Sequence, residues 1–171
     1  MPYLKKRKAQ NTIYKNRDFP QYIKKYRPKN RVALIGVGGN LGDVKRRFKH
    51  LLEFLKRDRQ IRVLTTSIVL KNPPFGYLEQ DDFYNTLFLI ETKFTPLELL
   101  RYLQRVEKHF KRDRLFKNGP RTLDLDIIFY EKIRVRKGEK LIIPHPYWQE
   151  RDSVKIPLSF LKGRKCLKRV L

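Results

Sequence analysis

Cysteine is nearly absent from this chain. Cys166 is the single one in 171 residues, which excludes an internal disulfide and fits a reducing compartment. Histidine is scarce too, three in all, and no Cys/His spacing would hold zinc. His50 and His109 fall in helical segments and read as incidental. No Ser/His/Asp order suggests a nucleophilic triad. No stretch approaches the roughly 20 apolar residues of a membrane span. The N-terminus lacks the apolar core of a secretory signal and has no serine before Ser67, against a transit peptide. A cytoplasmic protein is expected. Acids are outnumbered, 17 against 41 Lys and Arg, for a net charge of +24. Such a field favours polyanionic partners, either nucleic acid or small phosphorylated substrates. A generally basic proteome would produce it as well.

Two phosphate-binding signatures are incomplete. Gly36, Gly38 and Gly42 follow a strand and open a helix, as in a dinucleotide site. The acid expected after the second strand is missing, since Lys71 and Asn72 follow Leu70. No Gly-Lys-Ser/Thr closes a P-loop. The glycines read instead as a tight turn with close backbone approach.

What is present is a real core: 40% hydrophobic residues, with 12% aromatics. The length predicts one domain. Residues 1–31 hold eleven Lys or Arg against one acid, Asp18, and show no helical or strand period. They read as an appended basic arm, either a tether to nucleic acid or a partner, or a solvated extension. The domain proper spans 32–158, and 159–171 form a basic tail. Val32–Val37 predicts a buried strand, and Asp43 caps a helix with Val44, Phe48, Leu51, Leu52 and Leu55 on one face. Residues 61–70 and 83–92 predict strands, joined by a loop containing Asn72-Pro73-Pro74-Phe75-Gly76. Thr95-Pro96-Leu97-Glu98 is a capping box opening a second helix, with Leu97, Leu100, Leu103, Val106 and Phe110 at helical spacing. A fourth strand covers 124–130. The order βαββαβ is that of a ferredoxin-like α+β sandwich, and residues 141–158 add C-terminal strands or loops beside it.

The strongest motif is Gly-Pro-Arg-Thr-Leu-Asp-Leu-Asp at 119–126, running into an apolar strand. Strand side chains alternate, so Asp124 and Asp126 share a face, with Cα atoms about 6.6–7 Å apart. Leu125, Ile127 and Phe129 are expected on the opposite face, in the core. Two adjacent carboxylates call for a cation, and hard oxygen ligands suit Mg²⁺ with phosphate oxygens completing its shell. Arg121 offers a planar fork to a phosphate. In the third strand Phe83, Asn85 and Leu87 share a face, and an Asn amide beside an aromatic can read the edge of a heterocycle.

With Gly38-Gly39-Asn40-Leu41-Gly42, Asp82-Phe83-Tyr84-Asn85 and Ile143-Pro144-His145-Pro146 before Arg151, these pieces resemble the 6-hydroxymethyl-7,8-dihydropterin pyrophosphokinases of folate biosynthesis, over about residues 32–158. The resemblance implies a ferredoxin-like fold, two Mg²⁺ ions and transfer of pyrophosphate from ATP to the pterin hydroxymethyl group, releasing AMP. It implies Asp124 and Asp126 as metal ligands. Asn72, Asn85, Phe83 and the backbone at Pro74 and Phe75 become the pterin site. Glu107, Arg121, Lys140, His145 and Arg151 would contact ATP, with Arg112, Arg114 and Arg121 assisting transfer from mobile loops. Three departures stand out. Ser153 occupies the place of a second aromatic that sandwiches the pterin, leaving stacking one-sided or filled from elsewhere, for instance by Trp148. Asn118 replaces a tryptophan before Gly-Pro-Arg, and Lys140 an arginine.

Two rivals share parts of the pattern. An RNA-binding module has the same βαββαβ order and would use the charge, but residues 83–92 lack a Lys/Arg-Gly-aromatic-Gly opening and the two acids would repel RNA. A polymerase-like nucleotidyl transferase would use the acids and Mg²⁺ to release pyrophosphate. It lacks an obvious third carboxylate.

Overall fold

A run of small and branched apolar residues, long enough to be buried on both sides, makes β2 (Arg31–Gly39) the central strand. The computed structural model describes residues 11–22, 26–111, 116 and 118–171. In it β2 lies between β5 (Phe83–Thr92) and β6 (Asp124–Tyr130), antiparallel to both. On the far side of β5 run β3 (Ile61–Thr66) and β4 (Val69–Asn72), and β1 (Thr12–Tyr14) adds an outer strand against β4. With α1 (Val44–Arg57) and α2 (Pro96–His109) between strands, this is the expected ferredoxin-like α+β arrangement.

Both helices begin as their sequences predict. The Asp43 carboxylate accepts the Arg46 N–H at 3.0 Å, and Val44, Phe48, Leu51, Leu52 and Leu55 are buried. The Glu98 carboxylate accepts the Thr95 N–H at 2.8 Å. The buried face of α2 differs by about one residue from its apolar spacing. Leu99, Tyr102, Leu103 and Val106 are buried, while Leu97, Leu100 and Phe110 pack at the margin.

The sheet has an apolar cluster on each face. The helical side gathers Ile35, Val37, Phe48, Leu51, Phe88, Leu103, Leu125 and Ile127, and the other gathers Leu34, Leu87, Leu89, Ile128, Phe129, Val154 and Leu158. Here strict alternation fails for Phe129, which does not join Leu125 and Ile127. Leu34 faces Phe129 but Ile35 faces Ile127, so Ile128 is an extra residue in β6. That bulge reverses the side-chain parity beyond it and turns Phe129 to the opposite face.

Three other expectations change. Of the glycines read as a turn, Gly36 and Gly38, with Gly39 beside them, belong to β2 itself and only Gly42 lies beyond it. The predicted strand 61–70 is split at Ser67, whose hydroxyl accepts the Leu87 N–H at 2.8 Å in place of a backbone carbonyl. Residues 141–158 contain, beside the hairpin of β7 (Val135–Lys137) and β8 (Leu141–Ile143), a helix α3 (Asp152–Ser159) rather than strands and loops alone. Val154, Pro157 and Leu158, at helical spacing, are its buried side.

Residues 11–22 and 161–170 are laid on this frame. Phe19, 1% exposed, stacks on Phe88 at 6.0 Å beneath the helices. The Thr66 hydroxyl donates to the Asp18 carbonyl at 2.7 Å, and the Thr66 N–H to the Gln21 carbonyl at 2.9 Å. Buried Glu91 on β5 accepts the N–H groups of Lys29 and Asn30, both at 2.7 Å. The described part of the arm is therefore docked, because its few apolar residues and free carbonyls find partners too far along the chain to show as a local period. Residues 1–10 lie outside the described residues. In the later segment Leu161, Leu167 and Val170 are buried in the second cluster.

Candidate active site

At the outer end of β2, on the face away from α1 and α2, the absence of side chains opens a pocket. A Cβ at Gly38 would sit 2.8 Å from Asn85 Oδ1, and one at Gly39 would sit 2.5 Å from the Thr122 carbonyl oxygen. Only glycine lets the strand pass this close to the Asn85 side chain and to the segment entering β6. The walls include Asn72, Phe75, Phe83, Asn85, Arg121, Asp124, Asp126, Arg151 and Ser153. Residues scattered over some 80 positions thus meet at one end of the sheet.

Asp124 and Asp126 project together, as their spacing predicts. Arg121 Nε lies 3.0 Å from Asp124 Oδ2. The pKa of Asp126 is raised from 3.8 to about 7, first by burial and then by the negative charge of Asp124; Arg151 opposes this, Glu107 adds to it, and Arg121 opposes it. Two carboxylates held this way could supply two of the oxygen ligands of a divalent cation site. Among the described residues no cluster of three or more His, Cys, Asp or Glu completes it. Water and phosphate oxygens would fill the shell, the arrangement Mg²⁺ favours.

Asn85 Nδ2 donates to Asn72 Oδ1 at 2.7 Å, and Asn72 Nδ2 to the Pro73 carbonyl at 2.9 Å. This chain of amides leaves Asn85 Oδ1 over Gly38 as an acceptor edge. Pro73 and Phe75 line the pocket, whereas Pro74 is not among its lining residues. The Arg121 guanidinium lies 5.0 Å from the centre of the Phe83 ring, and that of Arg151 lies 5.1 Å from Phe75.

The remaining expected residues divide. The His145 N–H donates to the Ile128 carbonyl at 2.9 Å, fixing it beside β6. Burial and then the Arg151 charge push its imidazole down to about 4, against the pull of Asp124. Glu107 is buried on α2 and accepts the Leu125 N–H at 2.7 Å, holding the free edge of the strand that carries the acids. Lys140 is exposed at the turn between β7 and β8, away from the pocket lining. Arg112 and Arg114 lie outside the described residues. Trp148 is not in the pocket; it packs edge-on against Phe129 at 5.0 Å.

Asn40, 6% exposed, is a positioning residue that the motif reading did not isolate. Its Oδ1 accepts the Arg121 N–H at 2.9 Å, its own N–H donates to the Arg121 carbonyl at 3.0 Å, and its Nδ2 donates to Gln80 Oε1 and the Asp81 carbonyl, both at 3.0 Å. It clamps the loop bearing Arg121 to the end of β2. A polar side chain amid Gly38-Gly39 and Leu41-Gly42 was the available signal.

The chain is similar to proteins of one family. Residues 34–163 match the family model described as 7,8-dihydro-6-hydroxymethylpterin-pyrophosphokinase. A 2-amino-4-hydroxy-6-hydroxymethyldihydropteridine pyrophosphokinase of Campylobacter jejuni is 40% identical over 147 residues, covering 86% of this chain and 93% of the relative. One of the same name from Helicobacter pylori is 35% identical over 149 residues, covering 86% and 91%. A folic acid synthesis protein of Dictyostelium discoideum is 38% identical over 131 residues, 76% of this chain but 19% of that longer protein.

Proposed function

Because the chain belongs to the 7,8-dihydro-6-hydroxymethylpterin-pyrophosphokinase family, we propose that it moves a pyrophosphoryl group from ATP to the hydroxymethyl oxygen of 6-hydroxymethyl-7,8-dihydropterin in folate biosynthesis, releasing AMP. The observation that carries this reading is the meeting, in one pocket, of an amide edge for a heterocycle and a paired-acid, paired-arginine site for phosphates.

Asn85 Oδ1 accepts an N–H of the pterin ring, Asn72 holds that amide in place, and Phe83 stacks on one ring face. The backbone at Pro74 and Phe75 completes the edge. Asp124 and Asp126 would hold the two Mg²⁺ ions that the family resemblance implies. When bound, magnesium neutralises charge on the phosphates being transferred. Arg121 and Arg151 turn to phosphate oxygens, joined by Arg112 and Arg114, and exclude water. Neutral His145 donates a hydrogen bond to ATP without adding charge, and Lys140 reaches it from its turn. Attack on the β-phosphorus is set by where the pocket holds the hydroxymethyl oxygen, in line with the departing AMP. We place the enzyme in the cytoplasm, where Cys166 stays a thiol; among the described residues no helix is long and apolar enough to cross a membrane.

The test is to follow nucleotide products with MgATP and the pterin. Pterin-dependent AMP is expected, and Asp126→Ala should lower turnover by about a hundredfold or more while the protein stays folded. Formation of ADP, or AMP at the wild-type rate in the variant, would refute the reaction or the acid pair respectively.

A further inference from the structure

Phe75 has no evident structural task. It is 60% exposed, it makes no ring–ring contact among the described residues, and it projects from the loop braced by Pro73 and Pro74. It lines the pocket, so its open ring is within reach of whatever enters there. Its ring is covered by the Arg151 guanidinium at 5.1 Å. Arg151 Nε is buried without a hydrogen-bond partner among the described residues, so the cation is held on the ring with one donor unsatisfied. Arg121 lies in the same relation to Phe83, at 5.0 Å.

These pairs leave a free volume of only ≈ 80 Å³ in the pocket, against roughly 300 Å³ or more for pockets that bury small ligands. A bicyclic ring therefore enters by exchange with a guanidinium. Planar cations already lie where a planar heterocycle would stack. Among the described residues lining the pocket, Phe75 and Phe83 are the two aromatics, on different segments. Trp148 is committed to Phe129, and Ser153 offers no stacking surface.

We propose that the Phe75 ring, and not only the backbone beside it, is the second wall of the pterin slot, facing the substrate in place of an aromatic at Ser153, and that Arg151 holds this wall until the substrate takes its position. Arg151 displaced from Phe75 is then free to meet a phosphate, which couples filling of the ring slot to completion of the phosphate site. This rests on the pyrophosphokinase reading and adds the residue that recognises the ring.

The experiment measures pterin affinity by its own fluorescence, with a non-hydrolysable ATP analogue and Mg²⁺ present, and analogue affinity separately by calorimetry. Phe75→Ala should weaken pterin binding about ten- to hundredfold, leave analogue affinity within about twofold and leave the thermal midpoint unchanged, while Phe75→Trp keeps wild-type affinity. Wild-type binding of the pterin by Phe75→Ala would overturn the wall and leave the reaction standing. Equal loss of both affinities together with stability would also overturn it, since Phe75 would then only shape the loop. Failure of the wild-type protein to bind the pterin at all would overturn the pyrophosphokinase reading and the wall with it.

Discussion

At neutral pH the carboxyl group of Asp126 is only partly ionised, since burial and the charge of Asp124 raise its pKa from 3.8 to about 7. A group that holds its proton more tightly when folded stabilises the protein below its unfolded pKa, and this stabilisation is lost as pH rises to the folded value. Without metal, stability contributed by Asp126 should thus fall between about pH 4 and 7. His145, lowered to about 4, acts in the opposite sense between about pH 4 and 6.5. The difference between wild type and Asp126→Asn isolates the aspartate: urea unfolding at several pH values without Mg²⁺ should show the variant gaining relative stability as pH rises. Parallel curves would contradict the coupling. Among individual residues, the acid pair and Asn85 were legible because strand alternation fixes their direction from their own spacing. Asn40 and Glu107 were not, since each acts by holding backbone from a distant position.

Among the elements, β6 has the most demanding task. It is an edge strand carrying two acids, and its free groups are covered by the Glu107 carboxylate on Leu125 N–H and the His145 N–H on the Ile128 carbonyl. Glu107→Ala should destabilise the protein by about 1.5–3 kcal/mol, the range for a hydrogen bond to a charged group, read as a lowered urea midpoint; a change under about 0.5 kcal/mol would show that the strand holds itself. Helix starts were legible because capping is local, within four residues. The β6 bulge was not: it exists in relation to β2, and no feature of residues 124–130 alone requires an extra residue at Ile128.

For the whole molecule, the sheet is sealed by described segments on either side of its central elements, residues 11–22 and 161–170. Phe19 lies outside the matched stretch 34–163, yet is 1% exposed against Phe48 and Phe88. Phe19→Ala should cost about 3–5 kcal/mol, measured by chemical denaturation, and a neutral result would return residues 11–22 to the status of a dispensable arm. The charge of +24 masked this role, since a stretch dominated by Lys and Arg reads as solvated wherever its apolar residues are isolated.

By itself the sequence determined the order of the central βαββαβ elements, the caps of α1 and α2, the shared face of Asp124 and Asp126 and the resemblance that led to the reaction. All of these depend on residues a few positions apart, where backbone geometry leaves little choice. Only the tertiary structure decided that Phe129 turns away from Leu125, that Trp148 packs on Phe129 at the margin of the core, that Phe19 is buried, and that Phe75 and Phe83 each lie under an arginine. Those outcomes depend on pairings between distant segments, where register and packing select among side-chain placements that the local sequence permits equally.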